Sequence, residues 1–388
     1  MVTPAEPLGR RADRGGSVAG PGEPGRLRVV VVSADIGAGH DAAAAELAER
    51  LAAYGIVVER LNFFLALPRP LHRVVRESYR AMLRWLPWSY DALFTITNRS
   101  SLTVRVIRAA LRLAARRMLS RLPRGTNLVV TTFPFANQVL GPLRHRGLLD
   151  TPVITYVTDF VVHPTWMAPG VDTYCVIHDA ARRQAAANGA FDVRVVRPLV
   201  SARFTDLPGD GKRAARACFG LPQRERLALI VAGSWGVGDV TRTAAEVLAT
   251  GCVTPVIVCG RNDDLRRQLH AFPGHVLGWV DDMPTLMRAV DVVVENAGGL
   301  TCQQSLAAGL PTVTYRPIPG HGRANAEVLA DAGLTTYVTT AAHLRPTLTA
   351  LTTAGAAATA LAVAATDMAV VVSDAVRQAG RVTRPPAG

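Results

Sequence analysis

The chain carries three short glycine-bearing turns suited to holding an anion: Gly37-Ala38-Gly39-His40, Gly233-Ser234-Trp235-Gly236-Val237-Gly238 and Gly298-Gly299-Leu300-Thr301. Each follows an apolar, β-branched run and precedes a helical pattern. Backbone N–H groups and a helix dipole can receive negative charge there, and small residues let a ligand approach the backbone. The Ser234 hydroxyl adds a phosphate partner to the second turn. That turn lacks the Lys-Ser/Thr ending of a P-loop, which excludes Walker-type triphosphatase chemistry. The first turn does not fit a dinucleotide fingerprint: the third glycine is missing, and no carboxylate ends the next strand in the expected setting. Two convergent helix starts, after Ser234 and after Gly298, can neutralise a diphosphate without metal. His40, at a helix start in a sheet-edge cleft, can contact a substrate or serve as a capping histidine.

Such turns need buried parallel strands behind them. Continuous apolar runs predict strands at 28–32, near Val57, and at 128–131, 153–157, 173–177 and 193–196, with helical stretches between most of them. The polar segment from Arg197 to Gly220, broken by Pro198, Pro208 and Gly209, predicts a domain boundary. A second alternation follows, with strands expected at 227–231, 255–259, 275–277, 290–294 and 312–315, and a terminal helix over 356–377. The fold class is therefore α/β: two successive doubly wound domains, 27–200 and 201–380, facing a ligand cleft. Residues 1–26, rich in Gly, Pro and Arg, are expected to form a disordered tail.

Composition narrows the function classes. Of 388 residues, 49% are hydrophobic, which excludes a mostly disordered protein. Basic residues number 43 against 30 acidic ones, and Lys212 is the one lysine. The net charge of +13 implies anionic partners: a phosphorylated substrate, an acidic membrane or nucleic acid. Five scattered cysteines without a CxxC pair argue against a disulfide framework and a zinc site. No apolar run approaches the roughly 18 residues that span a bilayer. No signal peptide is apparent, so a cytoplasmic address is expected.

Three further stretches carry a resemblance: Gly278-Trp279-Val280-Asp281-Asp282-Met283-Pro284, Glu295 to Thr301, and Pro319-Gly320-His321-Gly322-Arg323-Ala324-Asn325. With Gly39-His40, and with Thr158-Asp159-Phe160 followed by His163-Pro164 and Trp166, they make residues 27–340 resemble glycosyltransferases of the GT-B fold. The nearest families are the monogalactosyldiacylglycerol synthases, the processive diacylglycerol glucosyltransferases and the N-acetylglucosaminyltransferase of lipid II formation. The resemblance implies that Ser234, Gly236, Gly298, Gly299 and Thr301 hold the diphosphate of a UDP-sugar. It implies that Arg261, Val280 and Met283 surround the uracil, and that Gln304 meets the ribose where relatives place a glutamate. His321 and Asn325 lie in the segment that reads the donor sugar; His40 or Asp159 is the base. For Asp159 the alternative is a loop or N-cap carboxylate.

Two departures stand out. Gln304 lacks the carboxylate of its counterparts and their charge-assisted bonds. The 320–323 segment replaces the Gln-Glu pair of the diacylglycerol branch with His-Gly. The resemblance implies hexose transfer from a UDP-sugar, as co-substrate and with no cofactor or metal, to a lipid hydroxyl, diacylglycerol being the expected acceptor. The chain has no Asp-x-Asp, the metal-diphosphate signature of the other glycosyltransferase fold. The alternatives are a soluble secondary-metabolite acceptor, a non-catalytic sugar-nucleotide-binding relative, or a UDP-sugar epimerase, which the acceptor-side resemblance disfavours.

Residues 69–121 hold twelve arginines against Glu77 and Asp91, interleaved with Tyr79, Trp85, Trp88, Tyr90 and Phe94. Apolar residues at 104, 107, 111, 114, 115, 118 and 122 recur at helical spacing, with Arg105, Arg108, Arg112 and Arg116 largely off that face. The segment is expected to lie on an anionic membrane surface at the inner face of the cell membrane. The alternative is a stripe packed on the sheet beneath a solvated basic face. No nucleic-acid-binding motif accompanies the charge.

Overall fold

The computed structural model describes residues 27–36, 39–205, 211–231, 238–353 and 365–382. In the first domain the order is β1 (Arg28–Ser33), α1 (Gly39–Ala52), β2 (Val57–Asn62), α2 (Arg69–Trp85), α3 (Pro87–Arg99) and α4 (Ser101–Arg121). It continues with β3 (Leu128–Thr131), α5 (Pro134–His145), β4 (Val153–Tyr156), β5 (Thr173–Val176), α6 (Asp179–Ala187) and β6 (Val193–Val195). The second domain runs α7 (Gly211–Cys218), β7 (Leu227–Val231), α8 (Val240–Ala249), β8 (Thr254–Val258), α9 (Asp263–Gln268), β9 (His275–Leu277) and α10 (Met283–Ala289). It closes with β10 (Val292–Glu295), α11 (Leu300–Ala307), β11 (Thr312–Tyr315), α12 (His321–Asp331), β12 (Thr336–Val338), α13 (Leu344–Thr353) and α14 (Met368–Val382).

Among the described residues there are two six-stranded sheets, ordered β2-β1-β3-β4-β5-β6 and β12-β11-β10-β7-β8-β9. Every pairing is parallel. Val29 to Ser33 and Val292 to Glu295 are buried throughout, as strands covered on both faces must be. The order reverses beside β1 in the first sheet and beside β7 and β10 in the second. Ligands bind outside the carboxyl ends of strands at such switch points. The turns after β1 and β10 therefore lie where substrates are received.

The last helix departs from the expected organisation. Residues 354–364 fall outside the described set, and α14 starts at Met368. Met368, Ala369, Val372 and Val376 pack with Val29, Leu47 and Leu51 of the first domain, although the sequence groups this helix with the second. Thr366 bridges Val196 beside β6. Arg50 of α1 clamps both crossings: it donates to the carbonyls of Pro198 (3.2 Å) and Val200 (2.6 Å) and to Asp367 (3.0 Å).

The arginine-rich segment divides its apolar residues. Ala114 and Met118 of α4 are buried against Phe63, Phe64 and Leu140, so this stripe packs on the sheet. Arg108 is not on a solvated face: it donates to Gln138 Oε1 at 2.7 Å and to the Met167 carbonyl at 3.4 Å. A different apolar set points outward. Among the described residues, nine of the fourteen exposed large apolar side chains lie between Leu71 and Leu113, including Val74, Trp88, Ile96, Leu102 and Val106.

Candidate functional site

A cleft of about 610 Å³ lies between the two switch points. His40, Thr158 and Asp159 line one wall; Val280, Met283, Gly299, Thr301, Gln304 and His321 line the other. Of the thirteen residues expected from the sequence to contact substrate, eight meet in this cleft, namely His40, Asp159, Val280, Met283, Gly299, Thr301, Gln304 and His321, while Ser234 and Gly236 lie outside the described residues. The remaining three, Arg261, Gly298 and Asn325, stand just behind it.

His40 sits in the first turn of α1. Its Nδ1 lies 2.6 Å from the Thr132 carbonyl, at the carboxyl end of β3, and 3.2 Å from Thr158 Oγ1. A carbonyl can only accept, so Nδ1 carries the proton and Nε2 keeps the lone pair. Burial against Phe133 and Trp166 pushes the imidazole below its ordinary value, opposed first by the Asp159 charge. Asp159 is itself raised by burial, with the His40 charge and bonds from Trp166 and Asn325 pulling it back. Trp166 Nε1 donates to its Oδ2 at 3.3 Å. Burial thus disfavours the charged form of each member of the pair, and each one's charge favours the other's.

On the opposite wall, the turn after β10 is built around Glu295, which sequence reasoning missed. Its buried carboxylate accepts from the backbone N–H of Ala297 (2.8 Å) and Gly298 (2.5 Å) and from the Thr314 hydroxyl (2.5 Å). Burial pushes its pKa up, and these three donors pull it down. A carboxylate ending the buried Val292–Val294 run, three positions before the Gly298-Gly299 pair, is the signal that marks it. Gly298 has φ +63°, and a Cβ there would strike the Asn325 side chain, so only glycine fits. Gly299 then caps α11, whose first turn carries Thr301.

Neighbours Gln303 and Gln304 diverge. Both line the cleft, but buried Gln303 also donates to the Thr158 carbonyl at 2.6 Å across the domain boundary. Asn325 is wholly buried: it accepts from Val161 N–H at 2.9 Å and donates to the Ala297 carbonyl at 3.1 Å, so its amide ties the two domains together. The guanidinium of Arg261 stacks on Trp279 at 4.2 Å, and Trp279 Nε1 donates to Asp281 at 2.7 Å. Trp279 itself lines the cleft beside Val280. His321 begins α12 and meets Tyr90 of α3, a residue the sequence analysis placed only in the basic segment.

Two parallel, doubly wound sheets meeting at a shared cleft define the GT-B class of glycosyltransferase fold. The fold is similar to that of MurG from Acinetobacter baumannii, with TM-score 0.54 and 17% identity, over 91% of this chain and 99% of that one. It is also similar to HepE from Anabaena, solved with UDP-glucose, with TM-score 0.51 and 13% identity over 92% of this chain and 99% of that one. Residues 40–196 match the monogalactosyldiacylglycerol (MGDG) synthase family model and residues 227–366 that of the glycosyltransferase family 28 C-terminal domain. A processive diacylglycerol beta-glucosyltransferase of Bacillus pumilus is 29% identical over 217 residues, 53% of this chain and 55% of the relative. The chain spans about half the length of the curated relatives it matches.

Proposed function

We propose that the chain moves a hexose from a UDP-sugar to a lipid hydroxyl, with diacylglycerol the acceptor, at the cytosolic surface of a membrane. The observation that carries this is the His40 arrangement: a neutral imidazole whose Nδ1–H is held by the Thr132 carbonyl, leaving Nε2 as a base in a cleft roofed by the α11 N-terminus. The acceptor oxygen attacks the anomeric carbon as the bond to the β-phosphate breaks. The hydroxyl proton passes to Nε2, and the Asp159 carboxylate steadies the imidazolium. The electron pair leaves on UDP, whose diphosphate is received by N–H groups at the start of α11, with Thr301 alongside, in place of a metal ion. Gln304 takes the ribose, and Val280, Met283 and Arg261 border the uracil.

The acceptor class rests on the MGDG synthase match and on relatives named as diacylglycerol glucosyltransferases. The donor class is supported by the UDP-glucose bound to the Anabaena neighbour. Membrane attachment is supported by the outward apolar residues of α2–α4 set among arginines. Among the described residues no helix is long and apolar enough to cross a membrane. All five cysteines are free thiols, which suits a reducing compartment.

The test is mass spectrometry of products after incubation with a panel of UDP-sugars, diacylglycerol in anionic vesicles, and soluble hydroxyl acceptors. Hexosyl-diacylglycerol and free UDP are expected, unaffected by EDTA and lost in His40→Gln. Glycosylation of soluble acceptors alone would replace the lipid reading. UDP-sugar binding without any product would make the chain a non-catalytic relative.

A further inference from the structure

The donor half of the cleft is not built by the second domain alone. Helix α3, from the arginine-rich segment of the first domain, is laid across the turn that opens α12. The Tyr90 hydroxyl lies 2.8 Å from His321 Nδ1, and the two rings meet edge to face at 5.6 Å. One turn position along, Asp91 accepts from Gly320 N–H at 2.8 Å and from Arg323 at 3.3 Å. Gly320, at φ +68°, is what permits the approach: a Cβ there would stand 2.8 Å from the Tyr90 ring and 3.0 Å from Phe94 Cβ. The far side of α3 is fixed independently, since Phe94 packs on His163 at 4.5 Å and Thr97 bonds His163 Nε2 at 3.1 Å. The helix is therefore held between the loop that carries Asp159 and the turn that carries His321.

We infer that Tyr90 is a positioning residue for donor-sugar selection, fixing the His321 ring so that its second nitrogen is offered to the sugar as a hydrogen-bond donor. This rests on the proposed transferase reading. His321 is a neutral imidazole, since burial lowers it to about 4. A neutral ring has one donor and one acceptor nitrogen. A phenol hydroxyl donating to Nδ1 makes Nε2 the protonated atom, and His321 lines the cleft. A sugar hydroxyl there would meet a donor, and its epimer, with that hydroxyl turned away, would not. The chain thereby supplies from two domains the sugar contact for which its 320–323 segment has no Gln-Glu pair.

The experiment compares wild type, Tyr90→Phe, His321→Gln and the double variant, measuring KM for UDP-glucose and UDP-galactose, Kd for UDP, and the His321 ring nitrogens by 15N NMR. Wild type should show the Nε2–H tautomer. Tyr90→Phe should mix the tautomers, raise KM for the preferred sugar about five- to tenfold, as for loss of one buried hydrogen bond, and narrow the ratio between the two sugars. UDP affinity should hold within about twofold, and Tyr90→Phe should add nothing in the His321→Gln background. Equal losses of UDP and UDP-sugar affinity would overturn the inference, because the phenol would then act on the whole domain. Unchanged sugar ratio and ring nitrogens in Tyr90→Phe would overturn it alone. A wild type that binds neither nucleotide sugar would overturn the transferase reading, and this inference with it.

Discussion

Replacing Asn325 by Ala removes an amide that serves two domains at once. Its bond to the Ala297 carbonyl (3.1 Å) lies within the second domain, and its bond from Val161 N–H (2.9 Å) crosses to the first. The amide is wholly buried, but Val161 and Ala297 are each half-buried, so water can reach part of what is exposed. Each lost bond should then cost about 1 to 2 kcal/mol, below the full penalty for stranding a buried group. The share that crosses the boundary favours an open arrangement by about five- to thirtyfold. Native-state hydrogen exchange at the Val161 amide reads that factor directly, and a thermal melt reads the sum. Asn325→Asp keeps the acceptor for Val161 but sets a second carboxylate beside Asp159, and should be worse at neutral pH than at pH 5. An Asn325→Ala variant that melts earlier yet keeps Val161 fully protected would refute the reasoning, since the amide would then hold only the second domain.

Three further outcomes are expected. Changing Arg105, Arg112 and Arg116 together to Gln, while sparing Arg108 for its bond to Gln138, should weaken binding to anionic vesicles by about 3 kcal/mol at low salt and leave the melting temperature nearly unchanged; binding indifferent to lipid charge or salt in vesicle sedimentation would show that these cations face only solvent. Gln304→Ala should weaken calorimetric UDP binding by about 1 to 3 kcal/mol, and Gln304→Glu should keep or tighten it. His321 falls from an ordinary 6.5 to about 4, so the unfolded chain binds more protons in that window and stability drains away as pH falls from 6.5 toward 4. Buried Asp159 and Glu295 are shifted upward and act with the opposite sign, so urea midpoints of wild type and His321→Asn at pH 7 and pH 5 must be compared; equal slopes would show that His321 titrates freely.

What could be read from the sequence follows from range of interaction. Val29 to Val32 and Val292 to Val294 are unbroken apolar runs, and only a strand covered on both faces uses them so. β12, three residues at a sheet edge with Thr336 exposed, carries no such run and was not expected. The alanine-rich tail predicts a helix, but nothing in its own period says that Met368 and Val372 will pack on the first sheet. Within the cleft, the glycine turns and the residues next to them are local features and were legible. The contacts of Tyr90 with His321 and of Asp91 with Gly320 join residues 231 and 229 positions apart, and exist only because the two domains close on one another. Asn325 was placed by its segment among the residues that read the donor sugar, and the bonds of its buried amide to backbone in both domains are long-range contacts that no local pattern announces.

The return of α14 to the first sheet has a consequence for how the protein is made. Arg197 and Asp367, which pair at 3.1 Å, are separated by 170 positions, and an entire domain is synthesised between them. At about 5 to 20 residues per second, the first sheet waits on the order of ten to thirty seconds for the helix that covers Val29, Leu47 and Leu51. Its partly covered apolar face, together with the outward side chains of α2–α4, is presented to the cell throughout that interval. A ribosome-bound chain stalled before Met368 should therefore be a chaperone client even though its second sheet is complete.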